Sequence, residues 1–154
     1  MEFIYHYTSE IHLKKILETG ELKTSEYERK NKIKPPALWL SLNPVWENTA
    51  TKLVKTKSGV RQLTKEEQNN LFGLIRFVLK FDEGKLCSWA KYRHVSNTPI
   101  NVYLQMERAG VKKGANPKEW YACFKNIPLK HCIYCQKWSG REWETIIDFK
   151  DYKK

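Results

Sequence analysis

Apolar and polar positions change their spacing several times along this chain, and each change marks an element. Phe3-Ile4-Tyr5-His6-Tyr7-Thr8-Ser9 is a short apolar run ending in hydroxyls, which predicts a buried strand. Leu13, Ile16 and Leu17 then share one helical face, predicting a helix over 10–19 with Ser9 as N-cap and Gly20 as its left-handed end. Residues 23–36 are polar and basic and close on Pro35-Pro36, the composition of a surface loop. Leu38 to Leu42 reads as a second strand. Asn43-Pro44 reads as an N-cap and first-turn proline, predicting a helix through Lys55.

Residues 56–63 read as a loop, and Thr64-Lys65-Glu66-Glu67 has the capping-box spacing of a short helix to Asn70. The β-branched and aromatic run 73–81 predicts a strand, ended by Asp82-Glu83-Gly84. A helical turn is expected over 86–92, and a helix from Asn97-Thr98-Pro99 through Ala109, stopped by Gly110. Strands are expected at 119–124, 131–138 and 142–149, the last two a hairpin turning at Ser139-Gly140. This order predicts an α+β fold, a mainly antiparallel sheet system flanked by helices. With no repeat, low-complexity tract or internal linker, residues 1–154 read as one domain.

Composition narrows the class. At 41% hydrophobic and 13% aromatic, the chain can bury a core and does not read as disordered. No apolar run approaches the roughly 18 residues of a membrane span. The first residues lack the basic-then-apolar pattern of an export signal. Four cysteines without a dense framework suit a reducing compartment, so a cytoplasmic location is expected. The net charge of +11 favours acidic partners, nucleic acid or a phosphate-bearing cofactor, although a solvated lysine face carries the same charge. Basic residues cluster at 23–34, 52–65 and 76–94, with Trp89, Tyr92 and Arg93 interleaved. No glycine-rich phosphate loop, dinucleotide fingerprint or helix-turn-helix pattern is visible. Cys132 and Cys135 sit in an expected strand, where positions three apart face opposite sides, and Cys87 and Cys123 are distant, so no metal site is expected.

His6-Tyr7-Thr8-Ser9, the leucine/isoleucine helix ending at Gly20, and Leu22 together resemble the opening of ADP-ribosyltransferase-like proteins. Glu119 opening an apolar strand, followed by Ile127-Pro128-Leu129 before another strand, resembles the nucleic-acid-modifying toxin branch. The resemblance implies a split antiparallel β-sheet core flanked by helices and a chain that uses NAD as substrate. It implies that His6 on the first strand holds ribose hydroxyls, that Trp39 or Ser41 on the second lies near the nicotinamide, and that a late glutamate contacts the ribose. Glu119, opening Glu119-Trp120-Tyr121-Ala122-Cys123-Phe124, fits that glutamate; Glu142 and Glu144 are rivals. The expected catalytic residues are Glu119 and His6, and the expected pocket adds Tyr7, Thr8, Trp39, Ser41, Asn43 and Trp46. Asn43 enters because a helix N-terminus there would face the dinucleotide phosphates, with Trp46 and Glu47 one turn in, near the pocket mouth. The implied setting is a toxin or phage-defence system, with DNA or RNA as acceptor and an antitoxin protein as partner.

The chemistry stands without the family. Cleaving the nicotinamide–ribose bond develops positive charge on the ribose, which a carboxylate stabilises. A histidine and a hydroxyl can orient the ribose, and an aromatic face can stack the leaving ring. The alternatives are a non-catalytic nucleic-acid-binding module and an NAD-dependent RNA 2′-phosphotransferase. The latter needs an arginine-rich pocket, for which Arg76 and Arg93 are the candidates near a core strand.

Overall fold

The computed structural model describes residues 2–32 and 35–152. Its strands are β1 (Phe3–Ser9), β2 (Glu21–Leu22), β3 (Leu38–Ser41), β4 (Leu53–Thr56), β5 (Gly59–Gln62), β6 (Leu74–Lys80), β7 (Cys87–Ser88), β8 (Trp120–Cys123), β9 (Ile127–Pro128), β10 (Cys132–Trp138) and β11 (Trp143–Asp148). Its helices are α1 (Leu13–Thr19), α2 (Glu26–Lys30), α3 (Lys65–Phe72), α4 (Trp89–Val95) and α5 (Ile100–Lys112). The fold is α+β, with a seven-stranded sheet in the order β11-β10-β6-β1-β3-β8-β7. Its neighbouring strands run antiparallel. No helix among the described residues is long and apolar enough to cross a membrane.

Alternation on the strands assigns the two faces of this sheet. Ile4, Leu38, Leu40, Ile75, Phe77, Leu79 and Tyr121 form one continuous core, and Leu13, Ile16 and Leu17 of α1 pack onto it. Each such side chain, fully buried, contributes roughly 1.5–3 kcal/mol. The opposite face carries Tyr5, Tyr7, Trp46 and Val78 in one cluster and Trp89, Tyr92 and Trp120 in another. The ladder between β1 and β6 runs the full strand, from Phe3↔Lys80 to Ser9↔Leu74. The join between β1 and β3 is a single register pair, Tyr5↔Ser41. The sheet is therefore narrowly fastened at its middle.

Several elements differ from the sequence reading. The helix expected from Asn43 to Lys55 does not form. Asn43 Oδ1 instead accepts from the backbone N–H groups of Val45 (2.9 Å) and Trp46 (3.3 Å), making an Asx turn. After a 3-10 turn at 48–50 the chain is extended at Thr51 and enters the β4–β5 hairpin, where a loop had been expected over 56–63. Ser9 does not cap α1: a 3-10 turn at 10–12 intervenes, and the buried Ser9 hydroxyl has no hydrogen-bond partner among the described residues. The loop expected at 23–36 holds α2, capped by Ser25 accepting from Glu28 N–H; Ile33 and Lys34 lie outside the described residues. Helix α5 does not stop at Gly110 but continues to Lys112. Cys132 and Cys135 do not face opposite sides, because a register shift between Cys132 and Tyr134 brings both into the main core. Burial pushes both thiols up to about 12.

Candidate functional site

The narrow join between β1 and β3 opens into a cleft of about 410 Å³. Tyr5, His6 and Tyr7 line it from β1; Trp39, Leu40 and Ser41 from β3; Glu47 and Thr49 from the following turn. Trp89 and Trp120 form its aromatic wall, joined by Met106 and Gly110 of α5 and by Lys113 just after that helix. By alternation His6 points to the core face, yet it also borders the cleft. Its Nδ1 hydrogen-bonds the Trp39 carbonyl at 2.9 Å, across that seam. Burial lowers its pKa, and this hydrogen bond only partly opposes the shift, so the imidazole is neutral at pH 7.

Trp39 is held from behind. Its Nε1 donates to Glu28 Oε2 at 2.9 Å, and Ala37 N–H donates to the other oxygen at 3.3 Å. Its ring lies 4.8 Å from that of Tyr92. Glu28 sits in α2, within the stretch that composition alone read as loop.

Glu47 is a buried carboxylate in the cleft lining, 7% exposed. Its Oε2 accepts from Ser41 Oγ at 2.7 Å. Its Oε1 accepts from Thr49 N (3.1 Å), Thr49 Oγ1 (2.7 Å) and Trp120 Nε1 (3.2 Å). These donors solvate the carboxylate in place of water. They also consume its acceptor capacity, so Glu47 fixes Ser41 and Trp120 and leaves little free to meet a ligand.

Glu119 ends a 3-10 turn immediately before β8 and does not line the cleft itself. It directly precedes Trp120 of the aromatic wall: Asn43 Nδ2 donates to its Oε1 in a long bond of 3.5 Å, and its carbonyl accepts from Leu42 N–H at 3.0 Å. Burial raises its pKa, the Asn43 bond opposes this, and the Glu47 charge adds to the rise. Among the described residues the Glu119 carboxylate accepts only that one side-chain bond, which leaves it open acceptor positions.

The remaining expected residues divide. Tyr7 lines the cleft, donates its hydroxyl to the Asn43 carbonyl, and is pushed up to about 12 by burial. Thr8 is half-buried on β1, outside the lining. Asn43 and Trp46 also fall outside it: Asn43 shapes the turn, and Trp46 is buried edge-on to Tyr7 at 5.2 Å. No helix N-terminus faces the cleft from Asn43, because the helix is absent. Glu142 and Glu144 are exposed in the β10–β11 hairpin at the far edge of the sheet. Among the described residues no group of His, Cys, Asp and Glu could hold a metal ion.

The sequence reading missed Trp89, Trp120 and Lys113 as lining residues and Glu28 as a support. Glu47 was placed near the mouth and is found buried in the lining. The signal for Trp120 was its position beside Glu119; Lys113 had none. Comparison with protein families, curated proteins and solved structures finds no match to this chain.

Proposed function

We propose that the cleft binds NAD and that the protein transfers its ADP-ribose to an acceptor. One juxtaposition carries this reading: His6, Tyr7, Trp39 and Ser41 line a single cleft although β1 and β3 are distant in sequence, and Glu119 directly precedes Trp120 of its aromatic wall. An ADP-ribosyltransferase-like arrangement of the sheet, split at β1 and β3, is part of the same proposal. It draws support from the single register pair at that seam.

The residues then take these roles. The indoles of Trp39 and Trp120 flank the flat nicotinamide ring and exclude water. His6 and the Ser41 hydroxyl position ribose hydroxyls. As the C1′–N bond breaks, nicotinamide leaves with the bonding pair and C1′ develops positive charge. The Glu119 carboxylate stabilises that charge. The acceptor's nucleophile bonds to C1′ and gives its proton to Glu119, whose raised pKa suits it to receive one. The net charge of +11 favours nucleic acid as the acceptor class.

The test is incubation with labelled NAD and separate panels of DNA, RNA and cell lysate. Nicotinamide release and label transfer are expected. Glu119→Gln should lower the rate roughly 10²-fold or more while NAD still binds, and Glu144→Gln should leave it unchanged. Absence of NAD binding and of nicotinamide release in the wild-type protein sinks the reading. Steep salt-dependent binding of nucleic acid without NAD turnover would identify a binding module instead.

A further inference from the structure

Tyr5 and Tyr7 form a wall shared between the cleft and a second cluster. Arg76, on β6, is only 8% exposed. Its Cζ lies 4.4 Å from the Tyr5 ring centroid and 4.6 Å from that of Trp143. Lys65, opening α3, places Nζ 3.4 Å from the centroid of Trp138, 5.6 Å from Trp46 and 5.7 Å from Trp143. Trp143 thus borders both cations. The ion pairs among the described residues join Lys30 to Glu26, Arg61 to Glu67, Lys85 to Asp82 and Lys137 to Glu10, and none reaches this pair.

Two like charges brought together in an aromatic surround are costly without an anion. The ring faces offset only part of that cost. Burial and the Arg76 charge together lower the Lys65 pKa. Arg76 Nε donates to Gln136 Oε1 at 2.7 Å, and its Nη1 donates to the Tyr7 hydroxyl and the Pro44 carbonyl. Nη2 has no acceptor among the described residues, and it is not sealed from solvent. One arm of a positioned guanidinium is therefore left open beside an ammonium and two partly exposed indoles, Trp138 and Trp143.

We propose that Arg76 and Lys65 form a binding site for the phosphate group of a nucleotide, with Trp138 and Trp143 as the stacking face for its base. The guanidinium supplies directed donors, the ammonium a point charge, and the indoles a π surface. The phosphate belongs either to a dinucleotide lying over the Tyr5–Tyr7 wall from the cleft or to the backbone of a nucleic-acid strand. The site does not depend on what the cleft catalyses.

Titration of tryptophan fluorescence with ADP-ribose and, separately, with an oligo-dT strand distinguishes the sources. At least one should bind, and Lys65→Gln should weaken it about tenfold, the effect of one lost charge-assisted bond. Lys65→Arg, which keeps the charge, should retain binding. For the strand, Lys65→Gln should also reduce the salt slope by about one. A loss confined to ADP-ribose identifies the dinucleotide; a loss confined to the strand identifies nucleic acid. In the unmutated protein the same ligand should shield Lys65 from amine acylation, read by mass spectrometry, which keeps the test independent of the variant's folding. The site is overturned if neither probe binds, or if binding leaves Lys65 unshielded and survives Lys65→Gln undiminished. Nicotinamide release persisting in that case would leave the reading of the cleft intact.

Discussion

Replacing Gly110 by alanine should destabilise this protein, although the same change in most helices stabilises it. Gly110 lies inside α5, where alanine has the better propensity by about 1 kcal/mol. A Cβ there would meet Trp120 Cη2 at 2.3 Å and Cζ2 at 2.5 Å, with Thr49 Cγ2 at 3.2 Å. Ordinary carbon contacts lie near 3.5–4.0 Å, so the indole must retreat by about 1 Å or more. It has little freedom to do so: it packs edge-on to Trp89 at 5.1 Å and donates to Glu47 across 3.2 Å. A shift of that size breaks the Glu47 bond, stranding a buried donor at about 1–3 kcal/mol, while overpacking costs about 1–3 kcal/mol more. Subtracting the propensity gain leaves a net loss of about 3 kcal/mol. For a domain of this size that is a fall in Tm of roughly 6–12 °C. Thermal melts followed by circular dichroism measure it, and tryptophan fluorescence should report the displaced indole. A variant that melts at or above the wild-type temperature would refute the claim that α5 seats directly on Trp120.

Three further outcomes follow from the same packing. Glu28→Ala leaves the Trp39 indole N–H and the Ala37 amide without their acceptor, costing about 1–3 kcal/mol for each; urea unfolding should show the loss with an unchanged m-value. Because the folded-state pKa of His6 is lowered from 6.5, the unfolded chain binds the extra proton between the two values. Stability should therefore fall as pH drops below about 6.5, and the fall should be shallower in His6→Gln when both are melted between pH 5 and 8. Cys132 and Cys135 are buried with thiols pushed up to about 12, so in the native state they should resist alkylation at pH 8 and react only on unfolding, as peptide mass spectrometry would show.

Where local and long-range forces agree, the chain reads directly. The run Leu74–Lys80 is apolar almost throughout because β6 lies inside the sheet, between β1 and β10. Thr64 and Glu67 form the capping box that their spacing spells. The segment after β3 misleads because Asn43 performs the same chemistry in a turn as at a helix start: its side chain accepts backbone N–H groups two and three residues on. The burial of Trp46 against Tyr7, a tertiary fact, accompanies the turn. Ser58-Gly59 was the local sign of the β4–β5 hairpin. Glu47 could not be placed from sequence, since one of its donors, Trp120, is 73 positions away. The shift in β10 that carries both cysteines inward leaves no compositional trace.

The short ladder between β1 and β3 has a mechanical consequence. On the α1 side the halves are glued by one hydrophobic mass, with Ile4 and Phe77 from one half and Leu38, Leu40 and Tyr121 from the other. On the reverse side the links are a few directed contacts: the Tyr7 hydroxyl donates to the Asn43 carbonyl, Arg76 to that of Pro44 and Trp143 to that of Val45, and Trp46 packs edge-on to Tyr7. An apolar spine thus carries the load on one side, while a handful of polar latches on the other leaves room for the cleft to stand between the halves.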